Sequence, residues 1–133
     1  MLFKKIEFIK KIDHELLQNF IQISRDQNLY HISEEYCMKK GLKGIVIHGM
    51  LISSIASYIP AMSLALENSM LVSQTFTYHK PCYVGDSYKF VGEVLNYDKR
   101  FKLVKVGITV YDIENKQMAS GIFQMKYLNK SKQ

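Results

Sequence analysis

The chain has 133 residues, of which 47% are hydrophobic, so it can build a core of its own but has no length for a second domain. We therefore expect a single domain over residues 1–133. Eighteen Lys and Arg against twelve Asp and Glu give a net charge of +6, which suits phosphate-bearing ligands, acidic proteins or nucleic acid. No helix-turn-helix, zinc-finger or aromatic RNA-binding signature accompanies that charge, so we expect a solvated basic surface and no nucleic-acid partner.

The cysteines and the first residues bear on the compartment. Cys37 and Cys82 lie far apart, and neither belongs to a metal-ligand spacing, so we interpret both as free thiols in a reducing compartment. The opening MLFKKIEFIKKI is interrupted by lysines, which is unlike the continuous apolar core of a signal peptide, and it is too short to span a bilayer. We expect a cytoplasmic protein without membrane insertion.

The first third of the chain predicts a strand and two helices. An opening strand is expected at residues 3–9, and Asp13 can cap a helix whose apolar residues recur at helical spacing. Residues 24–31, SRDQNLYH, are polar and turn-like, a setting in which functional side chains are common. Ser33 then begins a second short helix that Gly41 can end.

Residues 44–60 form a segment without a charged residue, GIVIHGMLISSIASYIP. Large aliphatic side chains mixed with Gly, Ser and Ala indicate deep burial. We predict a helix that begins near His48 or Gly49, is apolar on all sides, and is interrupted or ended by Pro60. The alternative is a buried strand at residues 45–47 followed by a membrane-seeking segment, but the run is short and rich in serine for a transmembrane helix.

The second half of the chain predicts an antiparallel sheet. From Met70 onward, β-branched and aromatic residues alternate with polar ones between the turn-like segments KPCYVGD, YDKR and DIENK. The expected strands are residues 71–79, 87–95, 101–111 and 117–128. Together with the apolar segment, they predict an α+β fold in which a long meander sheet holds one buried helix in its concave face.

Asp26 and His31 are the first candidates for chemistry. They are five residues apart across a turn, so both side chains can point into one small volume. A carboxylate beside an imidazole can hold water and exchange its protons, because histidine titrates near neutral pH. Both residue types are also common as turn caps and surface residues, so the spacing alone leaves that reading open.

Gly49 adds a second feature to this region. If it opens the buried helix, the unpaired amides and positive end of the helix dipole face whatever lies there. A glycine also lets a ligand oxygen approach the backbone closely. An amide aimed at a thioester carbonyl would stabilise the enolate-like charge that develops when water adds to the adjacent carbons.

These segments, in this order, resemble the MaoC-like family of R-specific enoyl-CoA hydratases and 3-hydroxyacyl dehydratases. That family carries an Asp-x-Asn-Pro-x-His loop and then, less than two dozen residues later, His-Gly-Met at the start of the central helix of a hot-dog fold. This chain has DQNLYH at residues 26–31, IHGMLISSIAS at 47–57 and KPCYVGD at 80–86. The resemblance covers about half of the chain and implies a single hot-dog domain, with an antiparallel sheet wrapped around the helix.

The resemblance also implies roles for individual residues. Asp26 and His31 match the catalytic pair, and Gly49 matches the residue whose backbone amide is the oxyanion donor. Substrate-binding roles are implied for Asn28, His48 and Ser57. Two of these have structural alternatives, because His48 needs only a hydrogen bond to nearby backbone, and Ser57 needs only packing, to explain its place.

The implied reaction is the reversible hydration of trans-2-enoyl thioesters to (R)-3-hydroxyacyl thioesters. The implied substrate is an acyl-CoA or acyl-carrier-protein thioester, the implied assembly is a homodimer, and no cofactor or metal is expected. Two rivals use the same fold: a non-catalytic acyl-thioester-binding or structural subunit, and an acyl thioesterase. Leu29 replaces the family's proline, and Arg25 stands where a small residue is expected, which bears on substrate preference and rate more than on reaction class.

Overall fold

The computed structural model describes residues 5–63 and 68–128. The elements in these ranges are, in chain order, β1 (Lys5–Lys11), α1 (His14–Ser24), α2 (Leu29–Ile32), α3 (Glu34–Lys39), α4 (Gly49–Ala56), a π-helical turn (Ile59–Ser63), β2 (Ser69–Tyr78), β3 (Ser87–Asp98), β4 (Leu103–Tyr111) and β5 (Gln117–Tyr127).

The five strands form one antiparallel sheet in the order β1-β3-β4-β5-β2, which confirms the predicted sheet. Strands β3, β4 and β5 follow one another as a meander, whereas β1 and β2 occupy the two edges. Side chains alternate between the two faces along each strand, and Val104, Val106 and Ile108 in β4 are buried as their spacing predicts.

Helix α4 lies against the inner face of the sheet and supplies part of the core. Leu51, Ile52 and Ala56 pack there with sheet residues such as Phe90 and Phe123. The predicted deep burial of this segment is confirmed only for the side that faces the sheet. No other described element covers the opposite side. The exposed residues on that side are Met50, Ser54, Ser57 and Tyr58.

The predicted caps at the starts of α1 and α3 are confirmed. The Leu16 N–H donates to Asp13 Oδ1 at 2.9 Å at the start of α1, and the Tyr36 N–H donates to Ser33 Oγ at 3.1 Å at the start of α3. The backbone of Gly41 has a φ of +82°, the left-handed conformation that commonly follows a helix end. The start of the strand predicted at residues 3–9 lies outside the described residues, and β1 runs to Lys11 instead of ending at Ile9.

Two further observations concern the cysteines and the helices. Cys37 and Cys82 are both buried free thiols. Among residues 5–63 and 68–128, no helix has the length and apolar character needed to cross a membrane.

Candidate active site

The loop that carries Asp26 is built by three successive side-chain caps. The Asp26 N–H donates to Ser24 Oγ, the Asn28 N–H donates to Asp26 Oδ1, and the Tyr30 N–H donates to Asn28 Oδ1, each at 3.1 Å. Each oxygen holds the backbone two residues further on, which is the local geometry that Asp, Asn and Ser side chains favour. The segment predicted as a turn therefore ends in a short helix, α2, for which Asn28 is the cap.

Arg25 joins this loop to α1 in a left-handed conformation. Its φ is +60°, and its N–H closes the helix by donating to the Ile21 carbonyl oxygen at 2.6 Å. A helix end of this kind favours residues with little or no side chain, which gives a physical reason for expecting a small residue at this position.

The structure brings Asp26 and His31 together. Asp26 Oδ1 is occupied by the Asn28 N–H, and Asp26 Oδ2 lies 3.9 Å from His31 Nε2. The separation is too long for a direct hydrogen bond, but a water about 2.8 Å from each atom would join them at an angle of about 90°. The Asp26 side chain is 50% exposed and that of His31 15%, so solvent reaches the pair.

The hydrogen bonds of His31 define which ring nitrogen carries its proton. Nδ1 lies 2.7 Å from the Val46 carbonyl oxygen, and because a carbonyl oxygen only accepts, Nδ1 is the donor. In the neutral ring, Nε2 is then the unprotonated nitrogen, and it faces Asp26 Oδ2. This arrangement leaves a base directed toward the space beside a carboxylate, as proton transfer to and from water requires.

His48 lies behind this pair. It is 2% exposed, its Nε2 donates to the Asp26 carbonyl oxygen at 2.9 Å, and its ring stacks on that of His31 with centroids 3.7 Å apart. Burial is the main cause that lowers the pKa of His48, and the nearby His31 lowers it further, whereas the bond to Asp26 opposes both. His48 is therefore neutral at pH 7, because its ordinary pKa is already 6.5.

Gly49 is the first residue of α4, as predicted, and lies at a shallow cleft. The cleft has a volume of about 280 Å³ and is lined by His31, Val46, Ile47, Gly49, Ile52, Tyr78, His79, Lys80, Pro81 and Cys82. The Tyr78 ring covers Gly49 so closely that a Cβ on the glycine would lie 2.8 Å from the ring. The first N–H groups of a helix have no partner within it, so the Gly49 amide needs a partner outside α4.

The remaining predicted residues occupy different places. Asn28 uses its side-chain oxygen to cap α2. Ser57 follows the last residue of α4, where its hydroxyl donates to the Ser54 carbonyl oxygen at 2.7 Å. Eight residues of helix separate it from Gly49 by about 12 Å along the axis, and it does not line the cleft.

Several cleft residues were not predicted from the sequence to belong to a site. Tyr78 and His79 come from the end of β2 and just beyond it, and Lys80, Pro81 and Cys82 belong to the KPCYVGD segment. That segment was noted as a turn and as part of the family resemblance, without a role in the site. Its distance in sequence from Gly49 gave no sign that the two meet, although the Ile47 N–H donates to the Cys82 carbonyl oxygen at 2.8 Å and joins them.

Asp26, His31 and His48 also form a group of metal-binding residue types, with one potential ligand atom from each within 4.8 Å of the others. The two rings are stacked at an interplanar angle of only 20°. An ion lies in the plane of each imidazole that binds it, so nearly parallel rings cannot share one without rotating. Since His48 Nε2 already donates to Asp26, the observed arrangement favours hydrogen bonding over coordination.

An antiparallel sheet around a central helix, with a carboxylate and an imidazole at the amino end of that helix, defines a hot-dog protein with a polar site. The family model described as "MaoC like domain" matches residues 5–116. The chain belongs to this family.

Individual relatives are hydratases and dehydratases. A stretch of 72 residues is 32% identical to the mitochondrial 3-hydroxyacyl-[acyl-carrier-protein] dehydratase of Arabidopsis thaliana, covering 54% of this chain and only 42% of that protein. The R-hydratase PhaJ1 of Pseudomonas aeruginosa, in unliganded form, aligns with a TM-score of 0.86 and 25% identity over 98% of this chain and 83% of its own. The (R)-hydratase of A. caviae involved in PHA biosynthesis aligns with a TM-score of 0.88 and 19% identity over 96% and 97% of the two chains, and supports the fold.

Proposed function

We propose that this protein catalyses the reversible hydration of trans-2-enoyl thioesters to (R)-3-hydroxyacyl thioesters. The observation that carries the proposal is the position of His31 Nε2, 3.9 Å from Asp26 Oδ2 beside the first residue of α4, with Nδ1 donating to the Val46 carbonyl oxygen. Membership of the MaoC-like domain family and the names of the Arabidopsis dehydratase and the Pseudomonas aeruginosa R-hydratase support a hydro-lyase reaction of this kind.

In the hydration direction, one water lies between Asp26 and His31. His31 Nε2 accepts a proton as the water oxygen bonds to the β-carbon, and the electrons of the double bond move toward the thioester carbonyl. The Gly49 N–H donates to the enolate oxygen that forms, which lowers the barrier by stabilising charge absent from the substrate. A proton held by the Asp26–His31 pair then bonds to the α-carbon, so H and OH have been added and the protein regains its starting state.

The test is the loss of ultraviolet absorbance of a trans-2-enoyl thioester on addition of purified protein. Asp26→Asn and His31→Gln should each lower kcat/KM by about 10² to 10⁴, the usual contribution of a positioned acid or base. Asp98→Asn is a matched control, because Asp98 Oδ1 accepts from the Arg100 N–H at 2.9 Å in the same kind of turn but in the β3–β4 connection. Unchanged activity in both site variants would remove the assignment.

The stereochemistry and the carrier need their own measurements. Chiral separation of the product should give the R isomer, and the S isomer would contradict that part of the proposal. A net charge of +6 suits both the phosphates of coenzyme A and the acidic surface of a carrier protein. Rates on one acyl group attached to each carrier identify the physiological form. Free thiol released without hydration would instead support the thioesterase reaction.

The proposal includes a homodimer formed through the β2 edge of the sheet. Among the described strands, β2 pairs only with β5. It exposes the apolar side chains Met70, Leu71 and Val72, which are 58%, 46% and 52% accessible. An exposed apolar edge strand favours pairing with another chain, and β2 ends at Tyr78, which lines the cleft.

Light scattering tests the assembly. Wild-type protein should have twice the mass of one chain, and Val72→Lys should shift it toward the monomer by placing a charge on the edge. Ile113→Lys is the control, since Ile113 is also exposed, at 81%, but lies in the β4–β5 turn. A wild-type monomer at micromolar concentration would contradict the dimer.

A further inference from the structure

His48 is the buried ionisable residue nearest the reacting groups that the proposed mechanism does not use. It is 2% exposed and contacts three parts of the site: the loop of Asp26, the ring of His31 and, through its own backbone, the first residue of α4. The side chain makes no capping hydrogen bond to α4, although His48 is in the capping position. The ring is thus directed toward the catalytic loop and not toward its own helix.

The hydrogen bond from His48 determines where Asp26 lies relative to Gly49. His48 Nε2 donates to the Asp26 carbonyl oxygen at 2.9 Å across 22 residues of sequence. Because His48 directly precedes Gly49, this bond joins the loop of the proposed base pair to the proposed oxyanion donor. A shift of the loop would change the distance between the water and the thioester carbonyl.

The stacking contact determines the plane of the His31 ring. The bond from His31 Nδ1 to the Val46 carbonyl oxygen, at 2.7 Å, fixes one edge of that ring but leaves it free to tilt about the bond. The face of His48 at a centroid distance of 3.7 Å restricts the tilt. The two contacts together keep His31 Nε2 directed at Asp26 Oδ2.

If the side chain at this position only filled space, an apolar side chain would make the folded protein more stable. His48 Nδ1 is buried and has no hydrogen-bond partner among the described residues, which is destabilising for a polar atom. Phe20 already packs edge-on against the ring at 5.0 Å, so the surroundings suit an aromatic hydrocarbon. The presence of an imidazole therefore indicates that its N–H is used.

We propose that His48 is a positioning residue for the hydration reaction: its N–H holds the Asp26 backbone while its ring face holds His31, which together set the spacing of the pair that activates water. This inference rests on the proposed function. It predicts an effect on kcat with little effect on KM, because His48 contacts the reacting pair and does not line the cleft.

The experiment compares His48→Phe, which keeps the aromatic plane and removes the donor, with His48→Gln, which keeps an N–H donor and removes the plane. His48→Phe should lower kcat by about tenfold to a hundredfold, the effect of a small misplacement of catalytic groups, with KM within about threefold. His48→Gln should retain more activity than His48→Phe. Phe20→Leu is the packing control: it removes a ring contact on His48 without touching the bond to Asp26, so it should lower the melting temperature and leave kcat unchanged.

Nitrogen NMR of the His31 ring adds a readout that does not depend on turnover. The wild-type protein should show a single set of ring signals with a proton on Nδ1, and His48→Phe should show broadened or multiple signals. A folded His48→Phe protein with wild-type kcat and an unchanged His31 signal overturns the inference. If His48→Phe does not fold, His48→Gln decides: a lowered kcat with KM within about threefold and a changed His31 signal supports the inference, and a folded protein with wild-type kcat and an unchanged His31 signal overturns it. An inactive wild-type protein refutes the proposed function instead, and the His31 signal then tests the positioning alone.

Discussion

Replacing Leu29 by proline tests the description of the catalytic loop, because the family has proline where this chain has Leu29. Leu29 is the first residue of α2, where an N–H has no helical partner and proline is favoured. Asn28, directly before it, has φ −55° and ψ 140°, the extended conformation that a residue before proline prefers. The carbonyl oxygen of Leu29, which accepts from the Ser33 N–H at 3.0 Å, is retained in proline.

The size of the effect follows from two opposing contributions. A proline at a compatible position stabilises by about 0.4–1 kcal/mol by restricting the unfolded chain. Leu29 is 48% exposed, so the loss of roughly one half-buried carbon destabilises by about 0.4 kcal/mol. The free energy of unfolding should therefore rise by about 0 to 0.6 kcal/mol, which is a change in Tm of about 0 to +3 °C for a domain of this size.

Thermal unfolding followed by circular dichroism measures this difference, and the hydration assay run on the same samples should show kcat retained. The control is Tyr30→Pro, one residue further on. It removes the N–H that donates to Asn28 Oδ1 at 3.1 Å and should destabilise by about 1–3 kcal/mol. A fall in Tm of more than about 4 °C in Leu29→Pro would refute the loop geometry described above.

Three further outcomes are expected. Gly49→Ala should lower kcat/KM by tenfold or more, which is on the order of one lost oxyanion contact, because the added Cβ would lie 2.8 Å from the Tyr78 ring and must displace it. The matched double variant with Tyr78→Leu should recover part of that loss. Cys82, whose pKa burial raises to about 11 from 9.0, should react with iodoacetamide at pH 8 about a hundredfold more slowly than an unfolded cysteine, and equal rates in labelled peptides would refute this. Because burial keeps the pKa of His48 below 6.5, the unfolded chain takes up a proton first as the pH falls through 6.5. Stability is therefore full above that pH and declines below it, and the decline in urea unfolding should be smaller in His48→Gln.

Much of the fold followed from sequence because its signals are local and repeated. Alternating residues predicted β3, β4 and β5 and the buried row of β4, and side-chain caps at Asp13 and Ser33 marked two helix starts. Helix α2 was missed because four residues carry too little periodicity to distinguish a helical turn from a loop. The exposure of Met50 was missed for a different reason: lack of charge predicts an apolar segment but not how many of its sides the chain covers.

The candidate site divides in the same way. The proximity of Asp26 and His31 followed from their five-residue spacing across a turn, and the start of α4 at Gly49 followed from the apolar segment, whereas the roles of all three residues came from the resemblance to the MaoC-like family. The contact of Tyr78 with Gly49 was not predictable, since it depends on where the edge strand β2 ends relative to α4. The bond from His48 to the Asp26 backbone was also hidden, because it joins residues 22 apart through a main-chain atom that no sequence pattern records.

Asp26 has both a structural role as a turn cap and a proposed chemical role, so its residue type does not distinguish between the two. One of its oxygens accepts from the Asn28 N–H at 3.1 Å, as in an ordinary turn, and its carbonyl oxygen accepts from His48. These two bonds restrict the rotation of the Asp26 side chain and backbone, and they leave Oδ2 as the oxygen directed at His31. The turn-capping role is therefore not an alternative to the proposed chemistry. It is the interaction that holds the second oxygen at a water-bridging distance from the imidazole.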